Sequence, residues 1–223
     1  MSYKYKFLED QIGSDEVGTG DFFGPIIVAA VLLNKEKINE IIKNEIKDSK
    51  KISNSKILKI GKFIIENYPY VHIKLDNEKL NKLSNKNMNE IKCLLHNKLL
   101  FDLHSKYPKI TFFCIDQFVS KEKYYKYLEK NNIKDIIKNV IFKTKGEDYF
   151  PSVAAASIVA RYFFLKEIDK INQKYHTNFP LGAVDKNIVS FAIKFIKENG
   201  INEFKKIVKI RFKNYNRILN LIN

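Results

Sequence analysis

Between Ile12 and Leu33 the chain reads IGSDEVGTGDFFGPIIVAAVLL, two adjacent carboxylates and a glycine-rich turn leading directly into an unbroken apolar run. The run from Ile26 to Leu33 carries no polar side chain and reads as a buried strand. Carboxylates so near a buried strand cost free energy unless cations or hydrogen-bond donors compensate them. Whatever fold the chain adopts must therefore set something opposite Asp15 and Glu16.

With 223 residues, 45% of them hydrophobic, the chain can bury one large core or two small ones. Forty Lys and Arg against 25 Asp and Glu give a formal charge of +15, which favours polyanionic partners, nucleic acid first among them. Abundant Lys, Ile and Asn also follow from A/T-rich coding, so charge alone does not settle function. Cys93 and Cys114 lack CxxC spacing and read as buried thiols. The charged start MSYKYKFLEDQ has no apolar signal core, and no run approaches the roughly 18 apolar residues of a membrane span. The expectation is a soluble, cytoplasmic protein with no obligate protein partner evident.

Strands are expected at Phe7 to Asp15 and Pro25 to Leu33, paired antiparallel around the glycine turn with the acids at its end. Ser53 or Ser55 can cap a helix whose Ile57, Ile60 and Ile64 share a face. YVHIKL from Tyr70 alternates as a strand, and Met88, Ile91, Leu95, Leu99 and Leu103 fall at helical spacing up to Tyr107. KITFFCID is a compact strand ending at Asp116, KEKYYKYLEK a short helix, and VIFKTK from Val140 a further strand. Pro151 occupies a favoured first-turn position of a helix rich in small residues, which allows close approach to a sheet. Two helices, Lys186 to Glu198 and Asn202 to Leu221, follow on either side of Gly200. The pattern predicts a single α/β domain over residues 1–223, with a mixed sheet and a helical C-terminal portion from about 185 to 223.

Asp15 and Asp116 close strands in this map, and Glu147 lies just beyond a third, at the strand ends where open α/β sheets gather ligand sites. If Asp15, Glu16, Asp116 and Glu147 converge, their mutual repulsion reaches roughly several kcal/mol per close pair, so they must be protonated or metallated. Oxygen ligands without His or Cys suit Mg²⁺ or Mn²⁺, and a shared carboxylate can hold two ions for phosphodiester chemistry. Each acid also has a plainer reading: Asp116 as a turn or capping residue, Glu147 as a partner for a helix dipole, Asp15 and Glu16 as a solvated turn.

Gly18, Gly20 and Gly24 are spaced GxGxxxG and precede a strand, which excludes a dinucleotide fingerprint, and Val17 and Thr19 stand where a calcium loop needs oxygen ligands. The Gly18-Thr19-Gly20 backbone can instead approach a sugar-phosphate closely, with the Thr19 hydroxyl beside it. The alternative is a tight hairpin that needs positive φ.

Taken together, GSDEVGTGDFFGP, DSKKIS, MNEIKCLLHN, IDQF, TKGEDYFPSVAAASIVAR and FPLGAVD resemble ribonuclease HIII, a type 2 ribonuclease H, over nearly the whole chain. The resemblance implies a ribonuclease H-like fold, a five-stranded mixed sheet flanked by helices, with a C-terminal helical extension. It implies catalytic and metal-binding roles for Asp15, Glu16, Asp116 and Glu147, two Mg²⁺ or Mn²⁺ ions, and hydrolysis of the RNA strand of an RNA–DNA hybrid to 3′-hydroxyl and 5′-phosphate ends. Gly18, Thr19 and Gly20 would read the 2′-hydroxyl, while Ser49, Lys50 and Lys145 are expected phosphate contacts or else ordinary surface. The related ribonuclease HII pattern has Arg between the two glycines and Asp as last acid; here Thr19 and Glu147 stand instead. Cleavage at single ribonucleotides in duplex DNA, or a non-catalytic hybrid-binding module, are the alternative functions. Ribonuclease HIII chains commonly carry an N-terminal domain resembling a TATA-binding protein; with only residues 1–11 ahead of the matched segment, the expectation is a catalytic domain without it. A C-terminal helix with Lys205, Lys206, Lys209, Arg211, Lys213 and Arg217 is the expected substitute in electrostatics, unless it is simply amphipathic with a solvated basic face.

Overall fold

A computed structural model describes residues 7–38, 53–183 and 185–222; Ser49 and Lys50 lie outside the described residues. Five strands form one mixed sheet: β1 (Gln11–Val17), β2 (Ile26–Leu33), β3 (Tyr70–Leu75), β4 (Phe113–Asp116) and β5 (Ile141–Lys143), in the order β3-β2-β1-β4-β5. β1 and β4 run parallel with Ser14 opposite Ile115, and β4 and β5 run parallel with Asp116 opposite Lys143. All eight residues of β2 are buried, as its composition requires.

The chain divides into two compact units, Met1–Glu16, Val28–Ile73 and Lys86–Phe163 forming the first and Val17–Ile27, Lys74–Asn85 and Phe164–Asn223 the second. In the first, α1 (Asn54–Asn67) starts where Ser53 accepts a hydrogen bond from the Lys56 amide, and it buries Ile57, Ile60 and Ile64. Asn87 and Ser120 cap α3 (Met88–Lys106) and α4 (Lys121–Lys130) in the same way. The long helix α5 (Pro151–Tyr175) begins in this unit, with residues 151–160 all buried. Gly13 makes that possible: a Cβ there would lie 2.3 Å from Ser152 Oγ and 2.5 Å from the Val153 nitrogen. The start of α5 is tied to β1 by the Ser152 amide and hydroxyl, both donating to Gln11 Oε1. Cys93 and Cys114 are buried free thiols, pushed by burial up to about 12, which makes them unreactive.

The second unit holds α2 (Asn77–Lys82), the rest of α5, α6 (Lys186–Ile207) and α7 (Asn214–Asn220). Phe22, Phe23, Phe179, Phe195 and Phe204 form its aromatic core. Gly200 breaks α6 with φ +82° and ψ 160°, as expected of the glycine there. The expected helix from Asn202 to Leu221 is interrupted, however. α6 stops at Ile207, Val208 pairs with Phe23 as an isolated antiparallel bridge, and the helix resumes only at Asn214. Nor do its basic residues share one solvated face: Lys205, Lys206, Lys213 and Arg217 are exposed, but Lys209 is fully buried. Arg211 is half-buried and donates to the carbonyl oxygens of Leu80 and Leu83. Tertiary pairing with Phe23 overrides the helical periodicity of this segment. Among the described residues no helix is long and apolar enough to cross a membrane.

Candidate active site

The site lies in the first unit and is built on two parallel strands: Asp116 ends β4, whereas Asp15, expected to close its strand, lies inside β1, which runs on to Val17. Asp15 and Asp116 each stand one residue beyond the last paired rung, Ser14 opposite Ile115, so the register itself brings their side chains together. Burial pushes the Asp15 carboxyl well above the usual carboxylate range, and the negative charges of Glu16 and Asp116 push it further; a hydrogen bond from Ser157 and the Glu16 amide, 2.7 Å from Asp15 Oδ1, oppose this only in part.

Glu147 arrives by a different route. After β5 the chain makes a single 3₁₀ turn, Gly146–Asp148, whose first amide donates to Asp116 Oδ1 at 2.8 Å. A Cβ on Gly146 would sit 3.1 Å from the Asp116 Cα, so glycine lets the turn come up against the end of β4. Lys145, just before it, is exposed and adopts the left-handed conformation at φ +57°, a costly state for a residue with a side chain and one that clusters at functional sites.

Glu16 has partners that sequence reasoning did not assign. Lys92 makes an ion pair with Oε1, the side chains being 10% and 11% exposed, and His96 lies 2.9 Å from Oε2. A carboxylate only accepts, so His96 Nε2 carries a proton; its Nδ1 is 2.7 Å from the buried Ser14 hydroxyl. Burial alone would raise the Glu16 carboxyl, but the His96 hydrogen bond and the charges of His96 and Lys92 hold it below its ordinary value. Lys92 and His96 are four residues apart on α3, and the Phe118 ring covers both, 3.8 Å from the ammonium and 5.3 Å from the imidazole. Lys92 and His96 at i, i+4, on the same face of the helix in the motif MNEIKCLLHN, were the available signal.

Among the described residues no three His, Cys, Asp or Glu side chains converge tightly enough to enclose an ion, and both Glu16 oxygens are engaged by Lys92 and His96. The donor set nevertheless fits a hard divalent cation. Asp15 is held beside two further carboxylates in a place where burial makes its own charge expensive, and only oxygen atoms are offered.

The glycine turn belongs to the second unit. Gly18 has φ +96°, and a Cβ on it would meet the Pro25 carbonyl oxygen at 2.2 Å, so the turn itself demands this glycine. Gly20 differs: a Cβ there would meet nothing within 4 Å, and the residue is exposed. None of the described residues accepts a hydrogen bond from the Thr19 or Gly20 amide.

A family model described as Ribonuclease HII matches residues 12–215. A relative described as Ribonuclease HIII from Bacillus cereus is 41% identical over 216 residues, covering 95% of this chain and 68% of its own length. The fold is similar to the crystal structure of Bst-RNase HIII in complex with Mn²⁺, with a TM-score of 0.90 and 33% identity over 96% of this chain and 70% of that one. Ribonuclease H2 from Pyrococcus horikoshii shares the fold, with a TM-score of 0.77 at 21% identity, covering 96% of this chain and 98% of that one. The family match over most of the chain and the ribonuclease HIII relatives together show that this protein belongs to the type 2 ribonucleases H, on their ribonuclease HIII branch.

Proposed function

We propose that the protein is a divalent-metal-dependent endonuclease that hydrolyses the RNA strand of an RNA–DNA hybrid, leaving 3′-hydroxyl and 5′-phosphate ends. The observation that carries this reading is the enforced crowding of Asp15 against Glu16 and Asp116, which is costly in an unliganded fold and useful only where positive charge is to be concentrated. In this reading Asp15, Glu16, Asp116 and Glu147 hold two Mg²⁺ or Mn²⁺ ions. Such ions, when bound, polarise the scissile phosphate, acidify the attacking water and offset charge on the leaving oxygen.

The chain's own residues do the rest. Asp116, fixed by the Gly146 amide, keeps one carboxylate oxygen oriented. Lys92 and His96 set the direction of Glu16 and compensate its charge. Thr19 and Gly20 offer amides with no acceptor among the described residues, suited to the 2′-hydroxyl and sugar-phosphate of RNA. The open space over Gly20 supports this, because the protein's own packing gives no reason for a glycine there. Lys145 is the proposed phosphate contact beside Glu147. The deciding experiment is cleavage of an end-labelled hybrid with Mg²⁺, with Mn²⁺ and with chelator. Metal-dependent internal cuts in the RNA strand are expected, and metal-independent or absent cleavage by folded protein would overturn the assignment.

A further inference from the structure

Among the described residues of the second unit, Lys209 is the one lysine with no exposed surface. Its ammonium faces backbone rather than a carboxylate ion pair. Nζ donates to the carbonyl oxygen of Asp21 at 2.7 Å and to that of Gly24 at 2.5 Å. These two carbonyls stand at either end of the arc Asp21–Gly24, the half of the turn that follows Gly18-Thr19-Gly20. The same arc is held on its flanks. The Lys209 amide donates to the Phe22 carbonyl at 3.1 Å, the Gly24 amide to Ile207 at 3.1 Å, the Phe22 amide to Gly182 at 2.9 Å, and the Gly182 amide to Asp21 Oδ1 at 2.8 Å. One side chain thus draws together both ends of a segment whose middle is already fastened; the Asp21 amide closes the preceding turn on the Gly18 carbonyl at 3.4 Å, and the Thr19 and Gly20 amides have no acceptor among the described residues.

Burying an ammonium is expensive, and burial here drives Lys209 down to about 7, with Asp21 the charge that opposes it. An apolar side chain of the same length would serve packing alone at lower cost, since buried charges are commonly replaced by hydrophobic residues without loss of stability. What an apolar residue cannot do is hold two carbonyl dipoles at fixed positions.

We propose that Lys209 is a positioning residue for RNA recognition: by clamping the Asp21 and Gly24 carbonyls it holds the Gly18-Thr19-Gly20 turn with its amides presented to the substrate. This rests on the turn being the reader of RNA, as proposed above. Lys209 acts through the turn and does not touch substrate.

The test compares full-length wild type with Lys209→Met, Lys209→Gln and Gly20→Ala in steady-state cleavage of a labelled hybrid at saturating Mg²⁺. Lys209→Met is expected to raise KM about tenfold with kcat within about twofold, as loss of the hydrogen bonds to the two carbonyls allows. Amide hydrogen exchange in residues 17–25 should accelerate in the same variant. Lys209→Gln, which keeps an N–H donor in the pocket, should fall between, and it serves as the test if the methionine variant does not fold. A lysine that only stabilises the fold would lower the active fraction, and so kcat, at unchanged KM; that result overturns the proposal. Gly20→Ala separates the two layers, because its Cβ meets no protein atom within 4 Å and folding should be normal. If Gly20→Ala raises KM and the Lys209 variants do not, the clamp is wrong and the reading of the turn stands. If Gly20→Ala leaves KM unchanged, the reading of the turn fails and the proposal with it.

Discussion

Lys92 and Glu16 form an ion pair across 76 residues of sequence, with the two side chains only 10% and 11% exposed. Together with His96 the lysine holds the Glu16 carboxyl below its ordinary value. A carboxyl lowered in the fold stabilises it at pH values above the unfolded pKa, and that contribution is lost as pH falls through the lowered folded value. Lys92→Met should therefore destabilise the metal-free protein by about 3 kcal/mol at pH 8, the usual consequence of stranding one member of a buried pair. The deficit should shrink in acid. Urea denaturation at both pH values checks this, and equal deficits would show that Lys92 contributes through packing alone.

Asp15 has the opposite sign. Its carboxyl is raised by burial and by Glu16 and Asp116, so the fold holds a proton that the unfolded chain releases, and stability falls as pH rises from the unfolded pKa through the raised one. Asp15→Asn removes that cost. In chelator at pH 8 its Tm should equal or exceed that of wild type, while hybrid cleavage falls by about a hundredfold or more, beyond the drop typical of an indirect metal contact. Added Mg²⁺ should raise the wild-type Tm and raise the variant's much less. Thermal melts with and without Mg²⁺ measure both effects, and near-normal cleavage by Asp15→Asn would remove it from the metal-binding set.

A formal charge of +15 predicts that hybrid binding weakens steeply with salt, because lysines that meet phosphates release condensed counterions. Lys205 and Lys213 are exposed, and Lys209 is not. The double variant Lys205→Gln, Lys213→Gln should flatten the slope of log Kd against log salt by about one unit for each phosphate that is no longer neutralised. Lys209→Gln should weaken binding with the slope unchanged. Fluorescence titrations at several salt concentrations distinguish the cases, and an unchanged slope in the double variant assigns those lysines to ordinary solvated surface.

Thr19 and Glu147 bear on substrate length. With no long cation between Gly18 and Gly20, the turn has backbone amides and one hydroxyl to offer, and each net hydrogen bond contributes only about 1 kcal/mol. Several consecutive 2′-hydroxyls are then needed for tight binding. Cleavage should be efficient within a continuous RNA–DNA hybrid and poor at a single ribonucleotide in duplex DNA. Comparable kcat/KM on the two labelled substrates would place the activity with ribonuclease HII instead.

The features legible in the sequence are those that neighbouring residues decide. The apolar run Ile26–Leu33, the cap at Ser53, the strand Tyr70–Leu75, the helix Lys121–Lys130 and the helix opened by Pro151 all appear where composition and periodicity put them. Asp15 lies inside β1, which runs on to Val17 instead of stopping at the acid, and comes beside Asp116 through the β1–β4 register; the strand-end position of Asp116 alone follows from where its strand stops. The compensating groups do not. Lys92 and His96 meet Glu16, and Ser157 meets Asp15, through packing between elements far apart in the chain, and a polar residue on a helix carries no label naming its partner. The same holds for Lys209. By local pattern it belongs to a basic helical stripe, yet the Phe23–Val208 bridge ends the helix and turns the lysine inward, where two carbonyls 185 and 188 residues away offset part of its desolvation. Local propensity amounts to tenths of a kcal/mol per residue, whereas burial and long-range hydrogen bonding amount to several, so tertiary structure prevailed wherever the two disagreed.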